Sequence, residues 1–358
     1  MLLGAGCSNS GSAASTTTTA AETTTTTAAE TTTTEAQTEA ETTTTTEAVT
    51  TTTEAPAEDT GAASPDTVRV AALKGPTAMG LVSFMNDNEQ AGSDAAYDFE
   101  IYAAPDELTP LIIQGKVDFA CVPANLAAVL YNKTEGEVEV LAVNTLGVIY
   151  IVESGSEEIK SIDDLKGKTI YASGQGSTPE FALNYILAQN GIADDVTIEW
   201  KAEHAECVTA ITENGGIAML PQPFVTTAMM KNEGLRVALD LTEEWDKLDN
   251  GSTLITGVVI GRKEFIDAYP GTVSDFLTNY ETSVDYVNSD TDGAAALVGQ
   301  YDIVPEAVAK KALPACNITF IKGEEMMNKL SGYLQVLYDS LATSVGGKLP
   351  AEDFYYVG

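Results

Sequence analysis

Between Ser8 and Pro65 this chain carries no aromatic residue, no Lys, Arg, Leu, Ile or Met, and a single β-branched aliphatic, Val49. A tract of Thr, Ala and Glu this poor in apolar surface cannot offset the entropy of ordering its backbone. Its nine acidic residues, from Glu22 to Asp59, repel one another with no base between them and extend the segment. Runs such as Thr42 to Thr46 have the composition of O-glycosylated stalks. Residues 8–65 are therefore expected to form a disordered tether. Any folded core must come from Asp66 to Gly358, 293 residues, enough for one large domain or two lobes of ordinary size.

Residues 1–7 read as a signal remnant. Leu2, Leu3, Gly4, Ala5 and Gly6 lead into Cys7, the order apolar, small, cysteine at which a bacterial lipoprotein is acylated. The run is far shorter than the roughly 20 apolar residues that a spanning helix needs, and it lacks a basic start. Cys7 is the expected lipidation site, with the chain lipid-anchored at the outer face of the cell membrane. The formal charge is −35, of which −26 remains after the tether is set aside. So acidic a body argues against nucleic acid and anionic headgroups as partners. Cys121, Cys207 and Cys316 have no metal-ligand spacing. The one histidine, His204, has too few partners for a zinc site and reads as a surface or helix-start residue. No cofactor and no metal is expected.

Strand and helix patterns alternate along the rest. Val68–Leu73, Phe99–Tyr102 and Val117–Val122 are apolar strands, each followed by a helical stretch, and Leu141–Val152 is a long β-rich run. The pattern restarts at Thr169–Ala172, where a glycine-rich loop leads into Thr178-Pro179-Glu180. Pro179 suits a first helical turn, and Ser177 with Glu180 fits a capping box. This alternation predicts an α/β fold with doubly wound, mostly parallel sheets flanked by helices. In such sheets ligands bind at the carboxyl ends of the strands.

Four segments carry a family resemblance: Leu111 to Ala120; Ile162 to Ile170, with its Asp-Leu-Lys-Gly-Lys run; the Gly176-Ser177 loop before a helix; and Val259 to Phe265 followed by Tyr269-Pro270. In this order and spacing the chain resembles the solute-binding lipoproteins of ABC importers, in the nitrate/sulfonate/taurine-like (NMT1-like) group. The resemblance implies a two-lobed type II periplasmic-binding fold joined by two hinge strands, a small-molecule ligand trapped between the lobes, ABC permease subunits as partners, and a monomer. The implied division is lobe 1 over 66–145, lobe 2 over 146–252, and a return to lobe 1 over 253–358.

Strand ends then give the expected ligand-binding residues. Lobe 1 offers Lys74, Gly75, Pro76 and Thr77, then Ala104, then Asn125. Lobe 2 offers Gln175, Gly176, Ser177 and Thr178, then Gln222 and Pro223. Glycine lets a backbone approach a ligand, and helix-start N–H groups favour an anionic group. The expected ligand is a small anion, zwitterion or heterocycle, such as a sulfonate, taurine, nitrate or a pyrimidine precursor. An enzyme of the same fold, of the pyrimidine-precursor or menaquinone-pathway type, and a stalked surface adhesin are the alternatives. No catalytic residue is expected.

Overall fold

The computed structural model describes residues 65–92 and 96–358. Cys7 and residues 8–64 lie outside them. In chain order the elements are β1 (Val68–Leu73), α1 (Pro76–Met79), α2 (Val82–Gln90), β2 (Tyr97–Tyr102), α3 (Pro105–Ile113), β3 (Phe119–Pro123), α4 (Ala124–Lys133) and β4 (Val138–Leu146). Then come β5 (Ile149–Ser154), β6 (Thr169–Ala172), α5 (Thr178–Gln189), β7 (Thr197–Trp200), α6 (His204–Asn214), β8 (Gly216–Pro221), α7 (Phe224–Lys231), β9 (Leu235–Asp240) and α8 (Leu241–Asp246). The last are β10 (Ile255–Arg262), α9 (Lys263–Ala268), α10 (Pro270–Ser289), α11 (Thr291–Gln300), α12 (Glu306–Ala312), β11 (Ile318–Ile321) and α13 (Gly323–Ser340). Proline stands in the first turn of α1, α3, α5 and α10, where its missing N–H costs nothing.

Two sheets result. The first has six strands in the order β11-β4-β10-β3-β1-β2, the second five in the order β7-β6-β8-β5-β9. Each has a parallel part, β3-β1-β2 and β7-β6-β8, and an antiparallel part made by the strands at the crossings. Antiparallel pairing is thus more extensive than alternation by itself implies. The run Leu141–Val152 is not one strand. It divides at Gly147-Val148, β4 closing in the first sheet and β5 opening in the second. The chain returns between β9 and β10, so strands of the first sheet occupy 68–146 and 255–321, and those of the second 149–240.

The first crossing passes the opening turn of α8 so closely that a Cβ on Gly147 would sit 2.1 Å from Thr242 Oγ1. Any side chain there would force Thr242 to shift. Asn317 holds the same point: its carbonyl accepts from Leu146 N–H at 3.1 Å, and its amide donates to Gly147 O at 2.5 Å. One apolar core runs through the junction, from Leu130 and Val143 through Ile149 and Ile151 to Leu183 and Trp245. Tyr333 of α13 packs on Trp245 with ring centroids 5.6 Å apart. Separate cores fill the far faces of the two sheets.

At the edge of the first sheet away from the strand carboxyl ends, Asp118 is buried between two arginines. Arg69 reaches it bidentately, Nη2 to Oδ1 at 2.6 Å and Nε to Oδ2 at 2.9 Å, and Arg262 Nη2 adds 2.9 Å. Burial by itself raises the Asp118 carboxyl, but the hydrogen bonds from Arg69 and Arg262 outweigh it and leave the group below 3.8. A hollow of about 10 Å³ beside it has room for roughly one water. Breaking a buried ion pair costs several kcal/mol when a charge is stranded. Here the stranded Arg69 is 40% exposed and reaches solvent. Asp118→Asn is therefore expected to lower stability by about 1–3 kcal/mol, read by urea denaturation. Because the folded value is depressed, the carboxylate's contribution is full above about pH 4 and is lost as pH falls through the folded value. The gap between parent and variant should close below pH 4.

Candidate functional site

The parallel strands aim their carboxyl ends at the junction between the lobes. Pro221, at the end of β8, pairs with Ile149, and Gln222 N–H donates to Val148 O at 2.9 Å. The loops after β6 and β8 therefore leave the second sheet beside the first crossing. The loops after β1 and β3 leave the first sheet on the side where Asn125 meets the second lobe.

Asn125 makes that meeting. It sits in the first turn of α4, is buried, and donates from Nδ2 to Gly176 O at 3.4 Å and to Ser344 O at 3.3 Å. Its Oδ1 accepts from Thr178 Oγ1 at 3.4 Å. Thr178 opens α5 and is fully buried, with Tyr333 also beside it. Each of these bonds is longer than the 2.9–3.0 Å that is usual, so each is weak.

Around β1's end the polar groups face inward. Thr77 is buried and donates to Leu73 O at 2.8 Å, so its hydroxyl is turned back on its own strand. Gly75 is the N-cap residue of α1. Asn144 supports the turn by donating to Thr77 O at 3.4 Å, and Thr145 Oγ1 donates to Asn144 Oδ1 at 3.0 Å. Tyr280 and Cys121 lie against the same asparagine; burial pushes the Cys121 thiol up to about 12, with bonds from Tyr280 and Asn144 opposing. A Cβ on Gly257 would lie 2.5 Å from Asn144 Oδ1 and 2.6 Å from Thr77 Cγ2. The close packing requires glycine. Lys74 pairs with exposed Asp302 at 3.3 Å, and Pro76 is the first residue of α1. Ala104 lies off β2, the edge strand. Its N–H and that of Ala103 donate to Glu107 Oε2 at 3.3 and 3.0 Å, so this helix start is filled by its own carboxylate.

In the second lobe the capping box expected at Ser177 does not form. Ser177 Oγ donates to Gly174 O at 2.7 Å, and Glu180 takes Gly176 N–H at 2.5 Å instead of Ser177 N–H. The tight Gly174–Ser177 turn brings the carboxylate to the earlier amide. Gln175 is exposed at the tip. Gln222 is buried and accepts from Thr226 N–H and Oγ1, and Pro223 caps α7. His204 opens α6, as a helix-start residue, and is half-buried. Its Nδ1 is 2.5 Å from Ser173 Oγ, and its ring lies 4.9 Å from that of Phe224. Burial lowers its pKa to about 4, so it is uncharged at neutral pH.

The structure thus joins Asn125, Gly176 and Thr178 directly, and sets Gln222 and Pro223 beside the crossing. It leaves Lys74, Ala104 and Gln175 at more exposed positions. Asn144 and Thr145 were legible as polar breaks inside the apolar run of β4. Ser173 begins the glycine-rich loop after β6, and Ser344 had no local signal. Among the described residues no group of three or more His, Cys, Asp or Glu is arranged to hold a metal, and no helix is long and apolar enough to cross a membrane.

Two α/β lobes, joined by two crossings and facing each other with strand carboxyl ends, define the type II periplasmic-binding class. Residues 93–294 match the family model described as NMT1/THI5 like, which is more than half of the 358 residues, and the chain belongs to that family. A solved ABC transporter protein from Parabacteroides distasonis is 20% identical, with 82% of this chain and 99% of that one covered at a TM-score of 0.69. The periplasmic aliphatic sulphonate binding protein SsuA from Escherichia coli is 16% identical over 82% and 92%, at 0.67. The periplasmic nitrate-binding protein NrtA from Synechocystis PCC 6803 is 11% identical over 68% of each chain, at 0.51. At these identities the likeness is one of fold. No curated protein matches the chain.

Asn125→Ala would leave the Thr178 hydroxyl and the Gly176 and Ser344 carbonyls without this partner. Because the bonds are long, the expected loss is about 1 kcal/mol, the low end for buried groups. Gln175→Ala, at the exposed tip, should stay within about 0.5 kcal/mol. Chemical denaturation of the two variants side by side measures the difference.

Proposed function

We propose that this protein is the solute-binding lipoprotein of an ABC importer, capturing a small anionic, zwitterionic or heterocyclic molecule between its lobes and delivering it to permease subunits. The single observation that carries this reading is the approach of the two lobes at the strand ends, where Asn125 reaches Gly176 and Thr178. Loops from both lobes can then enclose one ligand. Weak polar contacts across the gap suit a hinge that opens and closes. The SsuA and NrtA neighbours, for sulphonate and nitrate, support a solute of this size. In this reading Lys74, Gly75, Pro76, Thr77, Ala104 and Asn125 approach the ligand from lobe 1. Gln175, Gly176, Ser177, Thr178, Gln222 and Pro223 approach it from lobe 2. Cys7 carries the lipid that keeps the chain at the outer membrane face near its permease, and residues 8–65 give it reach.

Native mass spectrometry of gently purified protein is expected to reveal one small co-purifying molecule. Small-angle scattering with that molecule added back to stripped protein should show a smaller radius of gyration. At about a thousand times its dissociation constant it should add roughly 4 kcal/mol of stability. A molecule that binds without changing the radius of gyration would refute closure. Separately, Cys7→Ala expressed with the protein's native leader should move the chain from the membrane fraction to the medium. Retention in the membrane pellet would remove the lipid anchor from the proposal.

A further inference from the structure

Three strand ends of the second lobe converge on one histidine. Ser173 follows β6, His204 follows the turn after β7, and Phe224 follows β8. Since β7, β6 and β8 are adjacent and parallel, all three residues leave the same edge of the sheet, the edge beside the crossing. The His204 ring bridges the end of β6, with Ser173 Oγ 2.5 Å from Nδ1 on one side and the Phe224 ring at 4.9 Å and 46° on the other. Ser173 is 1% exposed, so its hydroxyl is sealed and serves to orient the imidazole rather than to attack anything. His204 and Phe224 are both half-buried. Among the described residues, Nε2 makes no hydrogen bond. Nε2 is not among the buried polar atoms left without a partner, so this side of the ring is the one open to a further hydrogen bond.

We propose that His204 and Phe224 form a ligand-reading wall of the cleft and select a small molecule with a planar body, whose polar edge is hydrogen-bonded by His204 Nε2. This rests on the solute-binding reading and deepens it. The chemistry follows from the parts. Ser173 holds one nitrogen and fixes the ring's orientation, so the other nitrogen points in a set direction. The burial that keeps the ring uncharged makes it a poor counter-ion for a compact inorganic anion and a good polar aromatic surface. Of the charged neighbours on the same stretch, Glu203 is exposed at the helix N-cap and two others are engaged elsewhere. Lys201 pairs with Glu199 at 2.6 Å, and Glu206 accepts from Ala202 N–H at 3.0 Å. Two aromatic faces at the rim therefore discriminate by the flat part of the ligand.

The test uses full-length protein and three probes: benzenesulfonate, methanesulfonate with the same head and no planar body, and nitrate. His204 is the chain's one histidine, so its ring gives a single set of NMR signals. Benzenesulfonate is expected to bind at least tenfold tighter than methanesulfonate and to shift the His204 ring resonances. His204→Ala should weaken benzenesulfonate roughly 5- to 150-fold, the range for a lost buried hydrogen bond. His204→Gln, which keeps a donor at similar reach, should lose less. Phe224→Leu, which keeps apolar bulk but not flatness, should weaken benzenesulfonate and leave methanesulfonate unchanged. Unmoved ring signals with benzenesulfonate bound, or variants that bind it as the parent does, would remove His204 and leave solute binding standing. Methanesulfonate or nitrate binding as tightly as benzenesulfonate would overturn the planar-ligand class. If none of the three binds, that class is also refused, while native mass spectrometry decides solute binding independently.

Discussion

Everything at the site depends on the passage of the chain between two sheets at Gly147-Val148. Two residues separate β4 from β5, so the sheets cannot be set far apart. Thr242 crowds the position where a Cβ on Gly147 would stand, and Asn317 holds the Gly147 carbonyl. Because β4 and β10 run antiparallel in one sheet while β5 pairs antiparallel with β8 and β9 in the other, the parallel strands of both lobes point their carboxyl ends toward the junction. The facing of strand carboxyl ends across the junction is thus a consequence of how the crossing is built.

The energetics divide between the two ends of each lobe. The ends away from the cleft hold strong, charge-assisted contacts: Asp118 with Arg69 and Arg262 in the first lobe, Glu153 with Arg236 in the second. Burial taken alone raises the Glu153 carboxyl, but bonds from Ser156, the Glu158 and Ile159 amides and Arg236 bring it below its usual value. Such pairs rigidify a lobe without touching its mouth. The contacts across the mouth, at Asn125, are neutral and long. Rigid lobes with a weakly held gap are what hinge motion needs. A continuous core through Trp245 and Tyr333 joins the two lobes at the crossing.

Several site features are ones the strand–helix pattern points to, and several contradict its local rules. Pro179 opens α5 as a first-turn proline should. Ser177 and Glu180 have the spacing of a capping box, yet the glycine turn before them diverts both side chains to other partners. Thr77 stands among the expected ligand-binding residues, and its hydroxyl is folded back on Leu73. Local spacing describes which bonds a segment can make by itself. Which of them it makes depends on what the neighbouring loop has already occupied.

The sequence by itself determined that Asp66 to Gly358 could carry a core, because its apolar residues recur at strand and helix spacing. It also determined the alternation of strand and helix, because apolar periodicity decides which faces must be covered. Proline and glycine marked most helix starts and turns for reasons internal to their own backbones. Only the tertiary structure decided that Leu141–Val152 splits between two sheets, that Asn125 meets Thr178, 53 residues away, and that His204 joins Ser173 and Phe224. Those contacts bring together loops far apart in the chain. No local pattern records them, since each residue's own neighbourhood would look the same if the sheets were ordered differently.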